Sequence, residues 1–242
     1  MLIPKKSLGQ NFLIDNNLCK KIVSNINIKE KIIMEIGPGT GQVTKEIIKI
    51  KPKKLILIEK DKKLFNLLKI KYKEYSFIEI YNEDALKFNY KINEKFNIIS
   101  NLPYNISTKI ILNFLIDGQN IIEMIFLVQK ELANKFKYEK NNKSNKYNLF
   151  INLISKYKII FNISNKVFYP KPKIQSSLIK ICPLQKKINK HLLWTFNQNI
   201  FKNKRKKINS IFKNYINVDN KILNKRPENL NLIEYQDLFN IF

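Results

Sequence analysis

Asn101-Leu102-Pro103-Tyr104 is the segment whose residue types are best suited to chemistry. The side-chain oxygen of Asn101 and the backbone carbonyl of Leu102 can both accept hydrogen bonds from one amino group. Pro103 restricts the backbone of the residue before it, which would hold the Leu102 carbonyl in one direction. The Tyr104 ring can stack on a flat base. The segment therefore predicts a site for an amino group on a nucleobase. The alternative is a proline turn beside a core tyrosine.

A cluster of glycines marks a second candidate site. The chain has only five glycines, and three of them are Gly37, Gly39 and Gly41. They follow a short apolar stretch and precede a helical pattern, and this order is typical of nucleotide-binding α/β units. The spacing differs from Gly-x-Gly-x-x-Gly. With Glu35 before it, the cluster resembles the first motif of S-adenosylmethionine (SAM) methyltransferases. Dinucleotide binding and a plain structural turn are the alternatives.

Carboxylates follow two further predicted strands. Glu59 lies eighteen residues after Gly41 and can accept hydrogen bonds from both hydroxyls of a ribose. Asp84, with Ala85 after it, follows the next strand and can accept from an exocyclic amine such as that of adenine. Either acid alone would more often be a solvated strand-end residue. Their joint placement after a glycine-rich loop favours a nucleoside cofactor site.

These residues require strands and helices that alternate along the chain. Apolar runs predict strands at 32–36, 55–58, 77–81, 96–100, 121–128 and 157–163, and helical periodicity predicts helices at 16–26, 42–50, 61–70, 107–116, 188–201, 205–216 and 232–241. The alternation predicts an α/β fold with a parallel, doubly wound, Rossmann-like sheet, whose ligands bind beyond the carboxyl ends of the strands. A linker near Pro183 divides the chain into a catalytic domain, 1–183, which includes an N-terminal arm, and a small helical, basic domain, 184–242.

Composition narrows the class of protein. The 242 residues carry a formal charge of +26, which favours a nucleic acid partner over a membrane. A lysine-rich bias from an AT-rich coding sequence is the alternative cause. The chain has no transmembrane run or signal core, and its two cysteines fit a reducing compartment, so we expect a cytoplasmic protein without a metal site.

The most concentrated basic run lies in the predicted helical domain. Lys204, Arg205, Lys206 and Lys207 are predicted to bind RNA phosphates. Arg205 and Arg226 are the only arginines of the chain, and an arginine can form a forked contact with phosphate that lysine cannot. A helix cap or a carboxylate contact is the equal alternative for these arginines.

The chain resembles the small-subunit rRNA adenine N6-dimethyltransferases, the kasugamycin-sensitivity methylases, from about Lys6 to Leu230. The resemblance rests on Leu8-Gly9-Gln10-Asn11-Phe12-Leu13, Glu35-Ile36-Gly37-Pro38-Gly39, Glu59, Asp84-Ala85, Asn101-Leu102-Pro103-Tyr104-Asn105-Ile106-Ser107-Thr108, Gln129-Lys130-Glu131, Phe168-x-Pro170-x-Pro172-Lys173 and Arg226-Pro227-Glu228-Asn229. Many methyltransferases share the glycine loop, whereas the arm together with the Asn-Leu-Pro-Tyr segment is much more specific.

The resemblance implies a class I methyltransferase that uses SAM to dimethylate N6 of two adjacent adenosines near the 3′ end of small-subunit rRNA. It implies action on the immature small subunit, and we expect a monomer. By resemblance, Asn11 and Leu13 close over SAM, and the loop of Gly37 and Gly39 lines its methionine end. Glu59 holds the ribose, Asp84 with Ala85 the adenine, and Asn101 lies between cofactor and target. Phe168 is a second aromatic beside the target base.

Two other functions remain open. One is the related large-subunit methylase of macrolide resistance. The other is a non-catalytic rRNA-binding assembly factor, or a mitochondrial transcription factor that keeps the fold.

The chain also departs from the family pattern at two positions. Gln175 stands where a carboxylate is usual, and Asn148 stands where glycine is common.

Overall fold

The computed structural model describes residues 4–5, 8–212 and 219–241. The chain divides into two compact units, one formed by the chain up to Ala133 with Lys158–Pro183, the other by Asn134–Tyr157 with the chain from Leu184. The chain leaves the first unit after Pro183, which is where the sequence predicts a linker. Residues 134–157, however, pack with the C-terminal helices, although the sequence division assigns them to the catalytic domain. The functional boundary at 183/184 stays a prediction.

The element bounds, in chain order, are as follows. The strands are β1 Phe12–Leu13, β2 Ile32–Ile36, β3 Lys54–Ile58, β4 Ile78–Tyr81, β5 Phe96–Asn101, β6 Ile121–Gln129, β7 Ser155–Ile163, β8 Phe168–Tyr169 and β9 Ser176–Pro183. The helices are α1 Asn16–Val23, α2 Gln42–Lys49, α3 Lys62–Lys71, α4 Ser107–Asp117, α5 Lys130–Phe136, α6 Lys146–Ile154, α7 Lys190–Lys202, α8 Ile208–Ile211, α9 Asn220–Leu223 and α10 Leu232–Ile241.

A mixed seven-stranded sheet with the order β4-β3-β2-β5-β6-β9-β7 forms the centre of the fold. The first five strands are parallel, as the alternation predicts. All five residues of β2 are buried, which is the pattern of a parallel strand covered on both faces. The sequence therefore predicts the α/β class and the parallel part of the sheet correctly.

Strand β9 is the element that makes the sheet mixed, and it is absent from the sequence prediction. It pairs antiparallel with β6, with Leu178 opposite Leu127. The backbone N–H of Lys130 donates to the Gln175 carbonyl at 3.0 Å, so β9 begins beside the end of β6. Because β9 starts where β6 ends, it can only run in the opposite direction.

Backbone hydrogen bonds continue past the ends of the parallel strands. The N–H of Gly37 donates to Ile58 O at 2.9 Å, and the N–H of Glu59 donates to Tyr81 O at 3.0 Å. Beyond β5, the N–H of Leu102 donates to Leu127 O at 3.2 Å. These bonds hold the first residue after β2, β3 and β5, namely Gly37, Glu59 and Leu102, against the neighbouring strand.

The predicted helices differ from the observed ones mainly in the second unit. Helices α5 and α6 are not anticipated. The predicted helix 205–216 is wrong at its start, because residues 203–206 form a turn after α7 and Lys207 caps the four-residue helix α8. Residues 213–218 of that prediction lie outside the described residues.

Aromatic side chains form the interior of the second unit. Phe150 of α6 contacts Trp194 of α7 edge-on, with ring centroids 4.8 Å apart. Phe196 of α7 is fully buried and lies 5.8 Å from the ring of Tyr235 in α10. Within the described residues, the structure has no helix of the length and apolar character needed to cross a membrane.

Candidate active site

One cavity at the carboxyl ends of β2, β3 and β5 brings together most of the residues that the sequence singles out. Those that line it are Asn11, Leu13, Gly37, Gly39, Glu59, Asp84, Ala85, Asn101, Leu102, Pro103 and Tyr104. Residues of the arm form one part of the cavity wall, and the 101–105 loop forms another part. The four basic residues Lys204, Arg205, Lys206 and Lys207 are exposed between α7 and α8 in the second unit.

Two glycines of the loop, Gly37 and Gly39, line the cavity in a backbone conformation that favours glycine. Gly37 and Gly39 both have φ near +60°, a conformation that side chains with a Cβ rarely adopt. A Cβ added at Gly37 would have no atom within 4 Å, so the backbone there faces open space. A Cβ at Gly39 would lie 3.0 Å from the Phe12 ring. Gly39 therefore also makes room for the arm.

Glu35 is a buried carboxyl group beneath the glycine loop. Its Oε2 accepts a hydrogen bond from Thr44 Oγ1 at 2.6 Å. Burial raises the pKa of Glu35 to about 8, against the opposing effect of the Thr44 hydrogen bond. Glu35 therefore carries a proton in most molecules at neutral pH, and its hydrogen bond joins the end of β2 to α2.

Glu59 is held by two backbone amides and retains capacity to bind a ligand. Its Oε2 accepts from the N–H of Gly39 at 3.1 Å, and its Oε1 accepts from the N–H of Asp61 at 2.8 Å. Burial raises the pKa of Glu59, and these hydrogen bonds oppose the shift. Each carboxylate oxygen can accept a further hydrogen bond. Two adjacent hydroxyls, as on a ribose, match that remaining capacity.

Asp84 forms an ion pair that the sequence analysis missed. Its Oδ2 lies 2.9 Å from Lys60 Nζ, and its Oδ1 accepts from the N–H of Leu86 at 2.9 Å. The Lys60 hydrogen bond, followed by that of Leu86, holds the pKa of Asp84 below its usual range. Asp84 is therefore an anion with a fixed orientation, and Lys60, also in the cavity wall, is an additional candidate ligand residue.

Asn101 and Leu102 both line the cavity, and each carries an oxygen that can accept a hydrogen bond. Asn101 Nδ2 donates to the backbone carbonyl of Asn11 in the arm at 2.8 Å, which orients the side-chain amide. No described residue donates to Asn101 Oδ1 or to the Leu102 carbonyl. The carbonyl of Pro103 accepts from Ser107 Oγ at 2.8 Å, so the loop is tied to the first turn of α4. The pair of acceptors can therefore bind both hydrogens of one amino group.

Tyr104 is positioned by a residue whose role the sequence analysis did not identify. The Tyr104 hydroxyl lies 2.6 Å from Ser176 Oγ, and Ser176 is fully buried at the start of β9. Burial raises the pKa of Tyr104, so the phenol is neutral. Ser176 carries no sequence signal for this contact, because it lies seventy-two residues from Tyr104.

The structure does not bring Phe168 into the cavity. Its side chain is 2% exposed and belongs to the apolar core, and it pairs with Leu13 across β1 and β8. Phe168 thus holds the arm through the pairing of β1 with β8, and its place beside the target base stays a prediction. The neighbouring Tyr169, opposite Phe12, is the exposed aromatic of this strand.

A family model described as "Ribosomal RNA adenine dimethylase" matches residues 2–242. The chain belongs to the ribosomal RNA adenine dimethylase family. Ribosomal RNA small subunit methyltransferase A of Malacoplasma penetrans is 39% identical over 243 residues, which cover 93% of this chain and 87% of that protein. The protein of the same name from Pelagibacter ubique is 39% identical over 261 residues, which cover 97% of each.

Solved structures share this family's fold. The dimethyladenosine transferase from Plasmodium falciparum has a TM-score of 0.82 and 24% identity, and the match covers 94% of this chain and 95% of that one. The 23S rRNA methyltransferase ErmE has a TM-score of 0.76 and 19% identity, with 95% and 98% covered. At these identities the likeness shows a class I methyltransferase fold.

As a member of the rRNA adenine dimethylase family, the protein is a SAM-dependent methyltransferase. The cavity fits this cofactor. The glycine loop is open at Gly37, Glu59 has spare acceptor capacity suited to vicinal hydroxyls, and Asp84 is an oriented acceptor on the same wall. The residues present therefore match a nucleoside with an amino acid tail.

Both departures from the family pattern have a structural explanation. Asn148 is the third residue of α6, and its side chain accepts from the N–H of Asn145 at 2.8 Å to complete a capping box. Gln175 Oε1 accepts from Lys130 Nζ at 3.1 Å, so an amide oxygen replaces the usual carboxylate opposite a lysine. Neither substitution alters the cavity wall.

Proposed function

We propose that the protein methylates N6 of adenine in small-subunit rRNA twice, on two adjacent adenosines near the 3′ end. The observation that supports this most directly is the pair of acceptors, Asn101 Oδ1 and the Leu102 carbonyl, on one wall of the cavity. The relatives that are 35–39% identical over nearly their full length carry the name small subunit methyltransferase A.

The chemistry requires the chain to bind and aim an amine. When bound, SAM supplies a methyl group on a sulfonium, which is already a good leaving group. Asn101 Oδ1 and the Leu102 carbonyl each accept one amine hydrogen, so the nitrogen lone pair is directed away from them. The rigid 101–105 loop holds this geometry before the substrate arrives, and alignment of this kind supplies much of the rate enhancement. Glu59, Asp84 and the Gly37 loop would hold the cofactor.

The target base would be supported by Tyr104. The Tyr104 ring lies in the cavity wall, and its hydroxyl is fixed by Ser176. An unpaired or flipped adenine can stack on such a ring. The basic surface would bind the surrounding rRNA backbone through phosphate contacts, with Lys204, Arg205, Lys206 and Lys207 as the principal group.

The physiological substrate in this proposal is the immature small subunit, and the enzyme acts on it as a monomer in the cytoplasm. Its two cysteines, Cys19 and Cys182, are not joined in a disulfide, which suits a reducing compartment. The large-subunit alternative has only the fold of ErmE in its favour. A non-catalytic assembly factor would have no use for two unoccupied acceptors beside an intact set of cofactor residues.

The proposal is tested by methyl transfer from labelled SAM to small ribosomal subunits that lack the modification, with large subunits in parallel. The expected product is N6,N6-dimethyladenosine on the small subunit alone, identified by mass spectrometry. Asn101→Ala is the matched variant. Its methylation should fall at least about a thousandfold, because one acceptor is lost, while rRNA binding stays within about twofold. Labelling of the large subunit, or substantial methylation by Asn101→Ala, would contradict the proposal.

A further inference from the structure

Asp61 follows the cofactor residue Glu59 by two positions, yet its side chain binds the N-terminal arm. Its side chain is only 4% exposed. Oδ1 accepts from the N–H of Lys63 at 2.9 Å and caps α3. Oδ2 lies 2.8 Å from Lys5 Nζ and accepts from Gln10 Nε2 at 3.3 Å. One oxygen thus serves the helix and the other serves the arm.

The two arm residues that contact Asp61 are also joined to each other by a hydrogen bond. The backbone N–H of Lys5 donates to Gln10 Oε1 at 2.7 Å. Lys5, Gln10 and Asp61 therefore form a three-membered network around one buried carboxylate. Hydrogen bonds oppose the effect of burial, which alone would raise the pKa of Asp61, and Lys5 contributes the strongest of them. The pKa of Asp61 is lowered as a result, so the carboxylate is charged at neutral pH.

The segment held by this network covers the cavity. All six residues of Leu8–Leu13 are in the cavity wall. At the far side, the Asn11 carbonyl accepts from Asn101 Nδ2, and a Cβ on Gly9 would lie 3.1 Å from Asn105 Oδ1. The segment therefore lies between the loop after β3 and the loop after β5. The N–H of Asp61 also donates to Glu59, which connects the network to the carboxylate expected to bind ribose.

We propose that Asp61 is a positioning residue that fastens Leu8–Leu13 over the cofactor cavity through Lys5 and Gln10, and that this contact slows the release of SAM. The proposal rests on the proposed function, because it takes SAM as the occupant of the cavity. Asp61 touches neither cofactor nor target in this scheme, and it acts through the arm.

Asp61→Asn separates the two tasks of the side chain. Asparagine caps helices about as well as aspartate, so α3 is retained, but the charge that binds Lys5 is lost. We expect tritiated SAM, chased with unlabelled SAM, to dissociate about fivefold faster from Asp61→Asn, with the melting temperature nearly unchanged. Lys5→Gln should have the same effect, whereas Lys5→Arg keeps the charge and should retain slow release. The double variant Lys5→Gln/Asp61→Asn should be no faster than either single variant.

Asp15→Asn is the matched control, since Asp15 caps α1 through the N–H of Leu18 and makes no ion pair with a described residue. It should release SAM at the wild-type rate. Hydrogen exchange of the cofactor-free protein adds an independent measurement, in which the amides of Leu8–Leu13 should exchange faster in Asp61→Asn than in Asp15→Asn.

Unchanged release and unchanged arm exchange in Asp61→Asn would overturn the inference, as would equal acceleration in Asp15→Asn. Wild-type protein that binds no SAM would instead refute the proposed function. In that case the exchange of the arm amides still decides whether Asp61 holds the arm.

Discussion

Individual side chains of this site are oriented by neighbours that are distant in the sequence. The Asn101 side chain is oriented by the carbonyl of Asn11, ninety residues away in the sequence. The Tyr104 hydroxyl is hydrogen-bonded to Ser176, seventy-two residues away. Such contacts remove alternative rotamers before a substrate binds, which is the condition for efficient alignment. The residue types of the motif alone therefore do not fix these orientations, which depend on the distant partners.

Ser176 and Ser177 allow a controlled test of this orientation. Both are fully buried in β9, and each has one side-chain hydrogen bond, Ser177 Oγ to Asn162 Oδ1 at 2.8 Å. We expect Ser176→Ala to lower kcat about tenfold, because the Tyr104 ring loses its fixed position, and Ser177→Ala to leave kcat within about twofold. Steady-state kinetics with small subunits would measure kcat for both variants. Urea unfolding would show whether either variant is less stable than wild type.

The same pair supports a double-mutant cycle. In a Tyr104→Phe background the hydroxyl is absent, so Ser176→Ala should cause no further loss of kcat. An additional tenfold loss in that background would show that Ser176 acts on something other than Tyr104.

At the scale of elements, the antiparallel strand β9 and the short pair β1–β8 determine what surrounds the parallel sheet. β9 brings Ser176 to the end of β6, and β8 holds Leu13 of the arm. The basic turn after α7, in contrast, lies at the surface. Four consecutive residues there, Lys204–Lys207, are exposed.

That exposure makes the basic turn testable as an RNA contact. Changing Lys204, Arg205, Lys206 and Lys207 together to Gln should weaken rRNA binding and reduce the slope of log affinity against log salt by about three, near one unit for each lost phosphate contact. Filter binding at several salt concentrations would measure the slope.

A second set of four exposed lysines provides the charge-matched control. Lys62, Lys63, Lys69 and Lys73 are all exposed in or next to α3. Their change to Gln lowers the net charge by the same amount and should alter the slope by less than one. Equal effects of the two sets would mean that the attraction is a general result of the +26 charge.

At the scale of the whole molecule, a buried acid makes stability depend on pH. The folded-state pKa of Glu35, about 8, lies above its ordinary value of 4.5, so the folded protein holds this proton more tightly than the unfolded chain. The free energy of unfolding should therefore fall as pH rises from about 4.5 to about 8. The shift corresponds to a loss of up to about 5 kcal/mol. Glu59, whose pKa burial also raises, acts in the same direction.

Glu35→Gln should remove most of that dependence. Urea unfolding of the cofactor-free protein at pH 6, 7 and 8 should show a smaller slope than wild type and a more stable variant at pH 8. Glu79→Gln is the control. Lys54 lowers the pKa of Glu79, so the stability from that pair is lost only at acidic pH, and the wild-type slope should persist between pH 6 and 8. A wild-type slope in Glu35→Gln would show that Glu35 is not the titrating group.

The sequence by itself determined the α/β class, the five parallel strands and the set of residues at their carboxyl ends. It could do so because strand and helix patterns are local, and because parallel strands necessarily end on one side of a sheet. The sequence pattern alone therefore places four residues around one crevice, namely Gly37, Glu59, Asp84 and Asn101.

Only the tertiary structure decided which residues support that set. The ion pair of Lys60 with Asp84, the network of Lys5 and Gln10 on Asp61, and the bond of Ser176 to Tyr104 each join segments whose neighbourhood depends on strand order and loop path. The same holds for the pairing of Phe168 with Leu13 of the arm, which the structure shows, whereas the position of Phe168 beside the target base stays a prediction. A pattern of residue types specifies what a side chain can do, whereas packing between distant segments decides which atoms it meets.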